Sequence, residues 1–244
     1  MKIILRKIEP YENKKFSQTL KQHKDYTKVL LEITRKLLCN EDYIEETSLA
    51  SQAYLKVKID KQSRIFVYLS LDKFYSFEYP CQVELDQYTH QVNSVYTTSG
   101  LRCTLELISK AISILDEVKC DSIIDVYESR DEYDAFLNID AYKLLEYFWA
   151  HEPCYLRYDY DPKSSNGALH PLCHLDVNMS LKGSYKIGLK SKLSPSEFEN
   201  IVNKNTDCYY LIDKLPSHLK MLKTYQKNKK RNKRKQDRLR LARN

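Results

Sequence analysis

If residues 170–179 run as a β-strand, His170, His174 and Asp176 share one face while Cys173, Leu175 and Val177 share the other, because successive side chains of an extended chain alternate. One face is ionisable and the other apolar. The preceding extended segment, 154–160, sorts Arg157, Asp159 and the adjoining Asp161 from Leu156, Tyr158 and Tyr160 by the same rule. Pairing the two segments around the loop 162–169 makes their polar sides coincide, and a third strand, 185–189, adds Lys186 and Lys190 at its own polar positions. That mixture suits phosphodiester chemistry. A histidine near neutral pKa can move a proton, carboxylates can orient it or hold a divalent cation, and Arg157 and Lys186 can neutralise charge developing on a phosphoryl oxygen. His174, Asp176 and Asp159 equally form a ligand set for Mg²⁺, Mn²⁺ or Zn²⁺, since imidazole plus carboxylate is a common combination. The same pattern also suits a solvent-facing sheet whose charges only pair across strands. His23, His90, His151 and His218 stand alone as surface or packing residues, with His151 distinguished by Glu152 beside it.

Three strands cannot hold such a cluster unless the upstream chain supplies a sheet and a core. Leu20, Leu30, Ile33 and Leu37 keep to one helical face, so a long amphipathic helix is expected over 16–38. Segments 52–60 and 64–71 alternate and are rich in β-branched and aromatic residues, which predicts a hairpin across Lys61-Gln62-Ser63, extended by 75–85 and 91–97. Residues 101–118 return to helical periodicity through Leu105, Ile108, Ile112 and Leu115, with Thr98 or Ser99 as cap. A short strand is expected at 122–127, an acidic loop at 128–134, and a helix at 139–150 that Pro153 ends. Ser194-Pro195-Ser196-Glu197 is a capping box with proline at the first helical position, so a helix should run to about residue 204 and bury Phe198, Ile201 and Val202. These elements predict an α+β fold with a mainly antiparallel sheet flanked by helices. We read 1–215 as one domain, with a candidate sub-boundary at 120–138, and 216–244 as a polybasic helical tail ordered on binding.

Charge is divided sharply along the chain. Residues 220–244 hold twelve of the forty Lys and Arg but one of the thirty-three acids, so this end carries +11 and the preceding 219 residues −4. Such an appendage seeks polyanions, DNA or RNA first, through Lys229, Lys230, Arg231, Lys233, Arg234, Lys235 and Arg238. A solvated tail, a membrane-surface anchor and a clasp for an acidic protein partner are the alternatives. The run lacks the apolar stripe of an interfacial membrane helix, and no stretch approaches the ~18 apolar residues of a membrane span, so no membrane partner is expected. Four glycines leave no GxGxxG, GxxxxGK or GxSxG, which argues against P-loop motors, dinucleotide oxidoreductases and hydrolase elbows. Seven scattered cysteines without a CxxC pair read as reduced thiols, and the N-terminal apolar stretch is too short for a signal peptide, so the cytoplasm is the expected location.

Arg157-Tyr-Asp-Tyr-Asp-Pro162, followed by His170-Pro-Leu-Cys-His-Leu-Asp-Val177 and by Leu193-Ser-Pro-Ser-Glu-Phe198, resembles the signature of a bacterial domain-of-unknown-function family: RxDxDP, HPxxHxH, SPxxF. The likeness covers roughly 154–210. It departs at Asp176, where the family pattern has a third histidine; a carboxylate can replace that imidazole as ligand or acceptor but not as a proton donor at neutral pH. Relatives of the family are encoded beside helicases in anti-phage islands, so the resemblance implies a small subunit that acts on nucleic acid with a motor supplied in trans. Three functions follow. The first is a nuclease-like defence effector using His174, His170, Asp176, Asp159, Asp161 and Arg157; the second is a non-catalytic adaptor for nucleic acid or the helicase; the third is a ribonuclease toxin sharing the site of the first.

Overall fold

Alternating apolar residues from position 54 onward build most of one antiparallel sheet, and amphipathic helices cover part of it. The computed structural model describes residues 2–40, 49, 52–60, 63–89, 91–117, 122–128, 138–167, 169–181, 183, 185–203 and 206. The tail 216–244 and positions 129–134 of the acidic loop lie outside the described residues. The chain divides into a unit Met1–Phe198 and a unit Glu199–Asn244. Strands β1 (Lys2–Lys7), β2 (Tyr54–Ile59), β3 (Arg64–Ser70), β4 (Lys73–Glu78), β8 (Leu156–Tyr160), β9 (Cys173–Val177) and β10 (Tyr185–Leu189) form a seven-stranded sheet in that spatial order. All its pairings are antiparallel. The fold is therefore α+β with a mainly antiparallel sheet, as the patterning predicts.

Each face of this sheet has its own packing. Tyr68, Phe74 and Tyr158 lie on one side, where Phe74 stacks on Tyr158 at 4.6 Å and Phe198 sets its edge on Phe74 at 5.0 Å. Phe198 belongs to α6 (Pro195–Ile201), whose capping box forms as expected: Ser194 N donates to Glu197 Oε2 (2.8 Å), and Glu197 N donates to Ser194 Oγ (3.3 Å). Phe198 is fully buried, whereas Ile201 and Val202 are only half-buried. The opposite side buries Leu55, Val57, Ile65, Val67, Tyr75 and Phe77 in the main core with helix α2 (His23–Cys39). Tyr26 of α2 meets Phe77 edge-on at 5.3 Å, and the Tyr75 hydroxyl donates to the Phe16 carbonyl (2.9 Å).

Several elements differ from the sequence expectation. The helix expected over 16–38 starts at His23 behind a Gln22/Asp25 capping box, and Phe16 belongs instead to the short α1 (Asn13–Phe16). Extension of the 54–70 hairpin stops at Glu78, because Pro80 has no N–H to continue the ladder. Residues beyond it make a separate three-stranded sheet, β5 (Gln82–Leu85), β6 (Val92–Tyr96) and β7 (Arg102–Cys103). Thr98 and Ser99 accordingly sit in the β6–β7 turn, which Gly100 completes at φ +87°, and the cap of α3 (Leu105–Glu117) is Thr104, whose hydroxyl accepts from Leu107 N (3.1 Å). The expected strand at 122–127 is a helix, α4 (Ile123–Glu128), started by Ser122 Oγ accepting from Ile124 N (3.1 Å). Its side-chain–backbone bond offers a local helical start that β-branched composition does not reveal. Helix α5 (Ile139–Ala150) forms as predicted and buries Leu144, Leu145 and Phe148.

Candidate active site at the β8–β9–β10 end of the sheet

Register decides what the three C-terminal strands bring together. Across β4, β8, β9 and β10 one row of paired residues reads Tyr75, Arg157, Asp176, Lys186, and the next reads Lys73, Asp159, His174, Gly188. Paired residues of an antiparallel ladder point to the same face, so both rows stand on the side that holds the main core. The first row is apolar through Leu55, Val67 and Tyr75 and turns ionic at Arg157.

The ionic groups interlock. Arg157 Nε donates to Asp159 Oδ2 (2.6 Å), and its Nη2 donates to Asp176 Oδ2. Lys186 Nζ donates to Asp176 Oδ1 (2.7 Å) and to His174 Nε2 (3.1 Å). His174 Nδ1 lies 2.8 Å from the Pro171 carbonyl. A carbonyl only accepts and an ammonium only donates, so Nδ1 carries the proton and Nε2 presents its lone pair. That lone pair faces Asp176 Oδ2 at 3.8 Å and Asp159 Oδ2 at 3.9 Å. Exposure grades outward, from 1 % for the His174 and Asp176 side chains through 11 % for Arg157 and 15 % for Asp159 to 26 % for Lys186. Burial works against the Arg157 charge, yet Tyr155, Asp159 and Asp176 hold its pKa above the ordinary arginine value.

Tyr155 adjoins the cluster. It shares the strand parity of Arg157 and Asp159, is 3 % exposed, and packs its ring 5.9 Å from that of Tyr75. Among the described residues its buried hydroxyl has no hydrogen bond of good geometry, with the Arg157 guanidinium as its polar neighbour. Burial, followed by the field of Asp159 and Asp176, drives its pKa well above the usual phenol value, while Arg157 pulls the other way. A buried hydroxyl whose only polar neighbour is a guanidinium already engaged by two carboxylates is poorly satisfied, which is costly in a core. The sequence reading missed Tyr155, although its odd-numbered parity with Arg157 was a usable signal.

The other predicted residues are placed less centrally. Pro171 interrupts the ladder, so His170 precedes β9 in an isolated bridge to Asn166, and its ring meets that of His174 edge-on at 4.8 Å. Asp161 Oδ2 lies 3.6 Å from His170 Nε2, while its Oδ1 accepts from Ser164 N (3.0 Å) and Lys163 N (3.1 Å). Those bonds lower its pKa and make it a turn residue at the rim. Lys190 is exposed just past β10. Lys229, Lys230, Arg231, Lys233, Arg234, Lys235 and Arg238 lie outside the described residues.

Gly188 has a specific part in this geometry. It stands opposite His174, and a Cβ built there would sit 3.0 Å from Pro171 Cγ and 3.3 Å from Pro171 Cβ. A larger residue there would press the proline whose carbonyl orients the imidazole by a few tenths of an ångström. Gly188→Ala is therefore expected to cost about 1–3 kcal/mol as an overpacking change. It should also disturb the single Nδ1–H tautomer of His174, seen as altered ring ¹⁵N shifts; unaltered shifts would dissociate Pro171 from the imidazole.

Asp159, His174 and Asp176 each offer a ligand atom, and these lie within 4.8 Å of one another. The donor chemistry fits Mn²⁺, Zn²⁺ or Mg²⁺, and the backbone carbonyl on the second imidazole nitrogen is the usual support for a metal-bound histidine. The His174–carboxylate separations exceed the ~3 Å between adjacent ligands at 2.0–2.2 Å bond lengths. Arg157 bridges the two carboxylates, and Lys186 lies between Asp176 and His174. Comparison with protein-family models, curated proteins and solved structures returned no match. The site's own chemistry carries the functional argument.

Proposed function

We propose that this protein is a nucleic-acid-directed phosphodiesterase, a nuclease of a bacterial anti-phage system that works with a helicase supplied in trans. The observation that carries the reading is the convergence of Asp159, His174 and Asp176 on one sheet face with Arg157 and Lys186 hydrogen-bonded among them. In this reading His174 Nε2 is the base or ligand atom, held by the Pro171 carbonyl, and Arg157 and Lys186 supply the positive charge that a phosphoryl group requires. A divalent cation held by Asp159, His174 and Asp176 would polarise a phosphoryl oxygen and acidify a water. The cationic C-terminal run supplies sequence-independent attraction for a phosphate polymer. The family-like motifs of 157–198 favour the helicase context. Among the described residues no helix is long and apolar enough to cross a membrane, and Cys39, Cys81, Cys103, Cys154 and Cys173 are free thiols, which supports placing the protein in the cytoplasm.

A second reading has its own observation. Asp159 and Asp176 are already paired with protein cations, and His174 and Asp176 are almost fully buried, so the network also suits a structural sheet in a non-catalytic adaptor. Purified full-length protein, with and without a helicase partner and with Mg²⁺, Mn²⁺ or Zn²⁺, separates the two when offered single- and double-stranded DNA and RNA. The nuclease reading expects cleavage, and His174→Ala should reduce it at least about 10²-fold with binding and the circular-dichroism spectrum retained. Absence of cleavage across these conditions, or a silent His174→Ala, supports the adaptor. Cleavage confined to RNA selects the ribonuclease form of the same site.

A further inference from the structure

We propose that Lys186 is a built-in competitor for the divalent cation: its ammonium occupies the lone pairs of the site until metal binds, and it is then released to hold a phosphate oxygen. This rests on the metal-centred reading above and adds how that site is filled and coupled to substrate. Lys186 Nζ takes one lone pair from each of two candidate ligands, Asp176 Oδ1 and His174 Nε2. The cation and the ammonium therefore seek the same atoms.

Charge balance makes the competition unavoidable. Two carboxylates, Asp159 and Asp176, pair with two cations, Arg157 and Lys186, so this set of side chains is neutral as it stands. A divalent ion added without any departure would leave +2 among side chains that are mostly buried, which low dielectric penalises strongly. One protein cation has to move. Arg157 is the anchored one: it lies on β8, between β4 and β9, is 11 % exposed, and grips both carboxylates. Lys186 is the movable one. It projects from β10 at the sheet edge, its side chain is the most exposed of the five, and its flexible stem can swing the ammonium outward without disturbing the ladder. An ammonium that has swung to the rim remains within the same cluster, where a phosphate approaching the metal would meet it. Metal loading and phosphate capture become one coupled exchange, and the metal-free site is kept from binding phosphate by the pairing of its own charges.

Mn²⁺ binding to full-length protein, read by the loss of free-ion electron paramagnetic resonance signal and by calorimetry, tests the exchange without any need for turnover. Lys186→Met should bind Mn²⁺ at least about tenfold more tightly than wild type, while Lys186→Arg, which keeps the charge, should bind no more tightly than wild type. In the Mn²⁺-loaded state, Lys186→Met should bind inorganic phosphate at least about tenfold more weakly. Should Lys186→Met fail to fold by circular dichroism, Lys186→Gln takes its place under the same criteria. Equal Mn²⁺ affinity in wild type and the neutral variant would overturn the competition while leaving the metal site intact. Unchanged phosphate affinity would overturn the released role. If neither protein binds Mn²⁺, the metal-centred reading fails and the exchange with it.

Discussion

Asp176→Ala is expected to destabilise the protein by about 3–5 kcal/mol, because it removes one of the two carboxylates that balance two largely buried cations. Asp176 is buried and accepts from both Arg157 and Lys186, so its removal leaves two cations against the single carboxylate of Asp159, with the ammonium held by the His174 lone pair. That loss is a large share of the 5–15 kcal/mol that holds a typical domain together. Urea denaturation read by circular dichroism measures it. Asp176→Asn, which retains an acceptor of similar shape, should lose clearly less. Replacing Arg157, Asp159, Asp176 and Lys186 together by apolar residues of similar volume should recover most of the stability, since desolvation offsets much of a buried ion network's attraction. A quadruple variant as unstable as Asp176→Ala would show that the network contributes more than mutual neutralisation. The quadruple variant should also lose Mn²⁺ binding and cleavage, which separates what the charges do for the site from what they do for folding.

Deleting 216–244 is expected to weaken DNA or RNA binding by at least about 10³-fold at low salt and to flatten its salt dependence. The twelve basic residues of 220–244 against one acid supply all the chain's excess positive charge, since the preceding 219 residues sum to −4. If about six of them touch phosphates, log K against log salt should have a slope near −5 on duplex DNA, and affinity should fall ~10³-fold between 50 and 200 mM salt. Fluorescence anisotropy with a labelled oligonucleotide across that range gives both quantities. The truncated chain should keep the Mn²⁺ affinity of the full chain, because the candidate ligands all lie in the unit Met1–Phe198. A truncated protein with unchanged nucleic-acid affinity would reassign the tail to an acidic protein partner.

Local pattern made much of this legible. Period-two alternation put Arg157 and Asp159 on one face of β8 and His174 and Asp176 on one face of β9 because the rule depends only on neighbouring residues, and the ladder preserves it. The α6 capping box, the α2 apolar stripe and the 54–70 hairpin are local in the same sense. Errors arose where a single residue redirected the chain: Pro80 ended one sheet, Thr104 moved a helix start, and Ser122 turned a β-branched run helical.

What the amino-acid sequence determined by itself was which side chains could share a face and how charge is distributed from end to end. The tertiary structure alone decided that β8 returns beside β4, more than seventy residues away in sequence, so that Tyr155 and Arg157 continue the rows begun by the main core. It also decided that Pro171 packs over Gly188 and that Asp161 and His170 are left at the rim. These outcomes depend on register between distant strands and on the space one residue leaves for another. Such non-local terms are set when the whole sheet closes, not when each segment forms.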